Sequence, residues 1–597
     1  MGDRAMKRID PVIMEVVRHG FIALADEMRI NLMRSSYNPI IYEVLDFSVG
    51  VFDAKGDMIA QSAGLPIFLG DLGAAVKTVI QDVGTRDIQP GDIYLINDTY
   101  TTGVHLNDMT AIAPVFHDGR LVGFAVSRAH WLDVGGKSPG GAADTTDIFQ
   151  EGLRLRSVRL VEAGEMNRSV LQIIRDNVRW PEAQIGDLRA QIAACRTGET
   201  RFLELVERFG EEALLDVVAA IFRQGEEAGR RAIRAMPDGT WCAEARLDGD
   251  GVGSGPLVVK AAVTISGDEM TVDLTGSAGQ TLGPVNCGLS ATVAACRTAL
   301  KCLTNPMSPV NEGDFVPLKV VVPRDSIFNV RPPGAAFLDG PTVILLIDVV
   351  LKALASDLAD AVPAAHYGDM AGFMIYGTDG ASGRQFIHQE PEGGGWGAWA
   401  GHDGENVLIF IADGDTRNVP VEVIESKYPL RVERYQLRED SGGPGKWRGG
   451  LGHYRDYRVL SDEAFMTAIM ERSVCPPWGL AGGSAAAHDL VVVNPGRPDE
   501  TIVMKATAYR LRHGDVCSVR TGGGGGYGNP FERDPAAVRD DVVRGLVTLE
   551  AARLDYGVVI DPATFLVDEA ATRFSRNQGR GKDGSVAGEP PAIVPGV

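Results

Sequence analysis

The tightest constraint in this sequence is four residues long: His117-Asp118-Gly119-Arg120, set between the apolar runs TAIAPVF and LVGFAV. Asp-Gly between alternating apolar segments specifies a two-residue hairpin, because a type I′ turn needs positive φ at both central positions. With Asp118 and Gly119 as the loop, His117 faces Arg120, and an ideal ladder sets residue 130 opposite residue 107. His130 is thereby brought beside the loop that carries His105 and Asp108. Opposed residues lie ~5 Å apart and diagonal ones ~7–8 Å, so one ion at ~2.1 Å from each ligand is expected to bridge the three. Two imidazoles and one carboxylate leave a coordination position open, the pattern of catalytic rather than structural metals. Glu43 or Asp46 in IYEVLDFS is the fourth candidate, to complete the shell or to act as general base. The competing reading makes His130 a packed histidine bonding a backbone carbonyl and Asp108 a turn residue capping the loop at Gly103.

A chain of 597 residues exceeds what one hydrophobic core supports, so several subdomains are expected. Its 45% hydrophobic and 23% charged residues are those of an ordinary globular protein. No apolar run approaches the ~20 residues of a membrane span. The start, MGDRAMKRIDP, lacks the apolar stretch of a secretory signal, which predicts a cytoplasmic protein. A net charge of −21 repels phosphate backbones and acidic membranes, arguing against nucleic-acid or membrane partners. The seven cysteines form no CxxC pair and read as free or buried thiols.

Along the chain, residues 10–35 show the three-to-four spacing of an amphipathic helix, and FSVGVFDAKGDMIAQ reads as a hairpin. Strands are expected from there to about residue 130. Residues 164–236 carry helical period with few glycines, strands return from Trp241 to about Val330, and helices are expected near 289–304 and 341–358. The expected organisation is α+β: 1–163 a β-rich region with the metal site and an N-terminal helix, 164–240 a helical block, 241–430 a mixed α/β middle, 431–570 a β-rich C-terminal region with a helical coda near 535–555, and 571–597 a disordered tail.

Other motifs are weaker. GGKSPGG at 135–141 and GGGGG at 522–526 could cradle an anion, although glycine runs more often serve tight turns. There is no P-loop, no dinucleotide fingerprint and no GxSxG elbow. Cys287 in GPVNCG reads as a buried small residue rather than a nucleophile.

The stretches YEVLDFSVGVFDAKGDMIAQ, GDIYLINDTYTTGVHLNDM, RAHWLDVGGKSPGG, IFQEGLRL, NVRWPEAQIGDLRAQIAA, GPVN, DSGGPGKWRGGLG and TGGGGGYGNP together resemble the hydantoinase B/oxoprolinase family, from about residue 8 to 532. The family includes B subunits of ATP-dependent N-methylhydantoinases, the second half of 5-oxoprolinase, and subunits of acetone and acetophenone carboxylases. The resemblance implies a metal site at His105, Asp108 and His130, with Glu43 the best match to a further acidic position. It implies a divalent ion (zinc, manganese or iron), with ATP and Mg used by a hydantoinase A-like ATPase partner of actin-like fold, in a hetero-oligomer with two copies of each subunit. The expected activity is hydrolysis of a lactam, hydantoin or imide ring that the partner has activated by phosphorylation; the alternative is an ATP-dependent ketone carboxylase. One departure stands out: Trp131 occupies a place where many hydantoinase-type members carry a second histidine, and it is expected to shape an apolar pocket beside the metal.

Overall fold

The computed structural model describes residues 10–359 and 361–579. The N-terminal half is built on one antiparallel sheet of β1 (Phe47–Asp53), β2 (Met58–Gln61), β3 (Ile93–Ile96), β4 (Asp108–His117), β5 (Arg120–His130), β6 (Val158–Glu162) and β7 (Glu165–Met166), in the spatial order β2-β1-β5-β4-β3-β6-β7. Helices cover both faces, which is why β1, β4 and β5 are buried almost without alternation.

One face packs on α1 (Pro11–Ser35), and the chain then makes the single turn α2 (Pro39–Tyr42). Asp10 caps α1 by accepting from the Val12 amide, Pro11 takes the first turn, and Val17, Phe21, Leu24, Met28 and Leu32 form the buried stripe. The other face packs on α3 (Pro66–Val83), an element that the sequence reading assigned to strands. The cause is burial: Ile67, Phe68, Leu69, Leu72, Ala75, Val76 and Val79 bury most of its circumference, and the outer stripe is Gly70, Ala74, Lys77 and Gln81, only half of it polar, which blurs the period of 3.6.

After the single turn α4 (Thr99–Thr102), the expected helical block is α5 (Arg168–Asn177), α6 (Pro181–Phe209) and α7 (Glu211–Arg234). α6 packs on β4, β5 and α1, completing the outer cover of the first sheet. A second sheet, β8 (Gly239–Leu247), β9 (Leu257–Ser266), β10 (Glu269–Asp273) and β11 (Leu318–Val321), is antiparallel except for the β10–β11 pair. The helices expected nearby are α8 (Leu289–Thr304) and α9 (Asp339–Leu354). A Cβ on Gly70 would come within 2.7 Å of the Ala294 Cβ, so α3 lies flush against α8 only because that position is glycine.

The C-terminal half carries two more antiparallel sheets. One orders Gln385–Glu390, Gly372–Thr378, Glu463–Ile469 and Lys505–Arg512; the other orders Leu430–Leu437, His453–Val459, Val516–Arg520, Leu490–Val493 and Thr501–Val503. The first of these crosses the boundary expected at 430, pairing Gly372 with Ile469 through distant strands that local pattern cannot link. The architecture is α+β, with sheets shared between distant segments of chain.

The GGGGG run is packed backbone against backbone, while GGKSPGG is a bent loop with Gly135 and Gly140 at positive φ. GGGGG at 522–526 runs extended against two other glycine segments: Gly395 donates to Gly522 O, Gly524 to Gly450 O and Gly443 to Gly524 O. A Cβ on Gly524 would stand 2.0 Å from the Trp396 carbonyl oxygen. Helices Pro535–Val543 and Leu549–Leu554 form the expected coda. The tail expected to be disordered from 571 instead begins inside a helix, Glu569–Gly579, and its remainder, 580–597, lies outside the described residues.

Candidate metal centre

The hairpin forms as its turn dictates: Asp118 and Gly119 have φ of 46° and 75°. His117 faces Arg120 and Phe116 faces Leu121, after which the register slips and Val115 faces Gly123, leaving Val122 without an opposite number. The slip decides the site. On the ideal ladder Asp108 would sit opposite Ala129, with His130 on the other face of the sheet; with one residue extra on β5, Asp108 faces His130 directly. Asn97 and Asn107 pin the loop between α4 and β4, donating to Leu106 O and to Trp131 O and Gly140 O. This holds His105 against the strand ends.

The three side chains converge. His105 Nε2 lies 3.2 Å from His130 Nδ1, which lies 3.0 Å from Asp108 Oδ1, and a ligand atom from each falls within 4.8 Å of the others. All are buried, and the second oxygen of Asp108 has no hydrogen bond. An orphaned, buried carboxylate oxygen beside two imidazoles fits a cation better than it fits a packed histidine. Of the two acids proposed to assist, Asp46 reaches the site: its Oδ2 is 4.0 Å from His130 Nδ1 and its Oδ1 is buried without a partner. Glu43 instead closes the C-terminus of α2 and does not line the cavity.

Three groups that sequence reasoning missed complete the surroundings. Asp339, at the start of α9, sets its Oδ1 3.0 Å from His105 Nδ1, and Gln389, on strand Gln385–Glu390, sets its amide 3.0 Å from His130 Nε2. Asp413 lines the same cavity. Asp339 and Gln389 stand 234 and 259 residues from their histidine partners and Asp413 lies further along still, at no ligand spacing, so local pattern held no trace of them.

The electrostatics follow from crowding acids in a dry place. Burial pulls the His105 pKa down, but Asp108, Asp339 and Asp46 outweigh it and carry it up to about 10. Burial pushes Asp46 up to about 6 against the pull of His130, with Asp108 adding to the rise. Asp413 stands well above the carboxylate range through burial and its neighbours Asp46 and Asp108. A divalent cation would offset this excess of facing carboxyl groups.

The cavity above the cluster has walls of Ile40, Leu65, Ile67, Phe68, Val104, Phe337, Phe373, Met374 and Phe410, with Asp46, Asp339, Gln389, Glu390 and Asp413 as its polar points. No lysine or arginine is among its lining residues. Trp131 does not shape it. Its ring is fully buried on the opposite face of the sheet, packed in the cluster of Leu95, Met109 and Leu188, with Nε1 donating to Gln191 Oε1 at 2.9 Å. Strand alternation sends the residue after His130 away from the site.

The sequence model of the Hydantoinase B/oxoprolinase family matches residues 10–530. This chain belongs to the hydantoinase B/oxoprolinase family. The caprolactamase subunit beta of Pseudomonas jessenii is 31% identical over 586 residues, covering 96% of this chain and 100% of that one. The crystal structure of the ATP-dependent caprolactamase from Pseudomonas jessenii superposes with a TM-score of 0.89 at 29% identity, over 96% of this chain and 100% of that one. The nucleotide-free structure of acetone carboxylase shares the fold at a TM-score of 0.87 and 22% identity, over 96% of this hydantoinase B-family chain and 83% of the other. Among its described residues no helix is long and apolar enough to cross a membrane, and the seven cysteines are free.

Proposed function

We propose that this chain is the metal-bearing subunit of an ATP-dependent cyclic amidohydrolase, opening a lactam-type ring that a partner subunit activates by phosphorylation. The observation that carries the reading is the convergence of His105 Nε2, His130 Nδ1 and the Asp108 carboxylate at the floor of an apolar cavity. Zinc, manganese or iron(II) suits a shell of two imidazoles and carboxylate. A divalent ion held there would polarise a ring carbonyl and make water a better nucleophile.

The chain's own residues supply the rest. The apolar walls receive the ring methylenes and limit water to the polar floor. Asp46, with its pKa raised to about 6, accepts a proton from the attacking water and can return it to the departing amine nitrogen. A lining without lysine or arginine offers no counter-ion for a substrate carboxylate, which favours a neutral lactam over oxoproline. The full-length similarity to a caprolactamase subunit supports the same choice. Mg and ATP are assigned to a hydantoinase A-like partner with an actin-like fold, in a cytoplasmic complex with two copies of each subunit.

The test is turnover by the reconstituted complex. His105→Ala and His130→Ala are each expected to abolish ring opening while the ATPase partner still co-elutes, and wild-type hydrolysis is expected to proceed without bicarbonate. Unchanged turnover in either variant rejects the assignment; an absolute need for bicarbonate turns it towards ketone carboxylation.

A further inference from the structure

The three proposed ligands come from one stretch of chain, where Asp108 lies 3.0 Å from His130 Nδ1 and 3.4 Å from His105 Nδ1, yet each histidine also has a partner from the other half. His105 is held through Nδ1 by Asp339, from α9, and His130 through Nε2 by Gln389, from a strand of the third sheet. The two ring nitrogens left over, His105 Nε2 and His130 Nδ1, face each other at 3.2 Å. Two ligands at ~2.05 Å from a tetrahedral ion stand about 3.3 Å apart, so the observed spacing is the edge of such a shell.

A neutral imidazole has one N–H and one lone pair, and only the lone pair can bind a cation. Which nitrogen is free is therefore decided at the other end of the ring. An ionised Asp339 only accepts, so the proton that His105 keeps when an ion binds is the one on Nδ1, and Nε2 is the nitrogen freed for the ion. Gln389 offers both an acceptor and a donor, and these exchange places when the amide turns over. With the amide nitrogen towards His130, the Gln389 Oε1 is buried with no partner. Without an ion, Asp108 Oδ1 accepts from His130 Nδ1 at 3.0 Å; with a cation in place of that proton and the amide turned over, the Gln389 oxygen accepts the N–H of His130 Nε2 and the lone pair falls on Nδ1. The turn relieves the orphaned oxygen and prepares the ligand together. Gln389 is itself confined: a Cβ on Gly140 would meet Ile387 and Met374 at 2.9 Å and Gln389 Oε1 at 3.1 Å, so the GGKSPGG loop closes directly over the amide.

We infer that Asp339 and Gln389 are positioning residues that select a mixed coordination, His105 through Nε2 and His130 through Nδ1. The inference rests on the metal reading above. The second half of the chain thus sets the chemistry of ligands that lie entirely in the first.

The experiment is equilibrium binding of Zn²⁺ and Co²⁺ to the purified full chain against a competing chelator, with the Co²⁺ absorption band as a second readout and thermal melting as the control for folding. Wild type is expected to bind one equivalent. Gln389→Leu removes the acceptor and is expected to weaken binding ~10- to 100-fold and shift the Co²⁺ band, with the melting temperature held. Gln389→Glu, which keeps an acceptor at that place, is expected to bind as tightly as wild type or tighter. Asp339→Asn reads the same effect from the other histidine and stands in should the leucine variant not fold. Wild-type affinity in both Gln389→Leu and Asp339→Asn, or a glutamate variant as weak as the leucine one, overturns the inference and leaves the metal reading intact. A wild-type chain that binds neither ion overturns both.

Discussion

Arg128 provides the sharpest test of how the ligand hairpin is anchored. It lies two residues before His130, fully buried, and its guanidinium pairs with Asp71 of α3, donates to Thr110 Oγ1 at 2.8 Å and packs 5.4 Å from the Phe68 ring centroid. Neither partner is solvated, so removing one strands the other, at a typical cost of ~3–5 kcal/mol; replacing both with apolar groups is close to neutral. Burial already lifts Asp71 to about 7 despite the pull of Arg128. In Arg128→Met the carboxyl rises further and takes up a proton, which limits the loss wherever that proton is available. A folded-state value above the unfolded 3.8 means stability present at low pH and lost as pH rises through the folded value. Arg128→Met is therefore expected to lose ~3 kcal/mol or more at pH 8 and clearly less at pH 5, while Asp71→Leu/Arg128→Met recovers most of it. Urea midpoints for the two single variants and the double, at both pH values, give the coupling energy. A single variant as stable as the double at pH 8 would refute the argument.

Gly524→Ala is expected to cost more than ~4 kcal/mol or to prevent folding, because its Cβ would stand 2.0 Å from Trp396 O, whereas Gly119→Ala, in open space at φ 75°, should cost only ~1–2 kcal/mol; melting curves compare the two. Asp187 accepts the Tyr37 and Asn38 amides, and burial lifts it to about 7, so its stabilising contribution fades as pH climbs from 4 through 7. Asp187→Asn should flatten that fall in a pH series of melting temperatures, and an unchanged slope would count against it. Cys287 is fully buried with its thiol pushed well above the ordinary range by burial and by Asp339, so Cys287→Ala should keep turnover; loss of turnover in a folded variant would make it a participant.

Legibility in the sequence tracked how local the cause was. The Asp-Gly turn, the amphipathic α1 and the helices near 289 and 339 each depend on residues within a few positions, and each was readable. α3 was not, because the outer face of a mostly buried helix carries Gly70 and Ala74 beside Lys77 and Gln81 and so shows only a weak stripe, and Gly70 and Gly73 weigh against helix although close packing on α8 requires the first of them. At the centre, His105, Asp108 and His130 were brought together through the hairpin, and Asp46 was one of two acids offered as a fourth group. Glu43, favoured by resemblance, caps the end of α2 after Tyr42, and its neighbour three residues on, Asp46, is the acid that lines the cavity. Asp339, Gln389 and Asp413 were out of reach: their places are fixed by packing between halves of the molecule, which no spacing encodes.

The unpaired Val122 gives this family a simple mode of failure. A relative that lost one residue between the turn and the second histidine would turn every later side chain of β5 to the opposite face, taking Arg128 away from Asp71 along with the histidine. Its imidazole would point into the helical cover and the buried ion pair would be broken, so site and stability would be lost together. Sorting such chains by the length of that arm, rather than by whether the histidine is present, would separate working enzymes from silent ones.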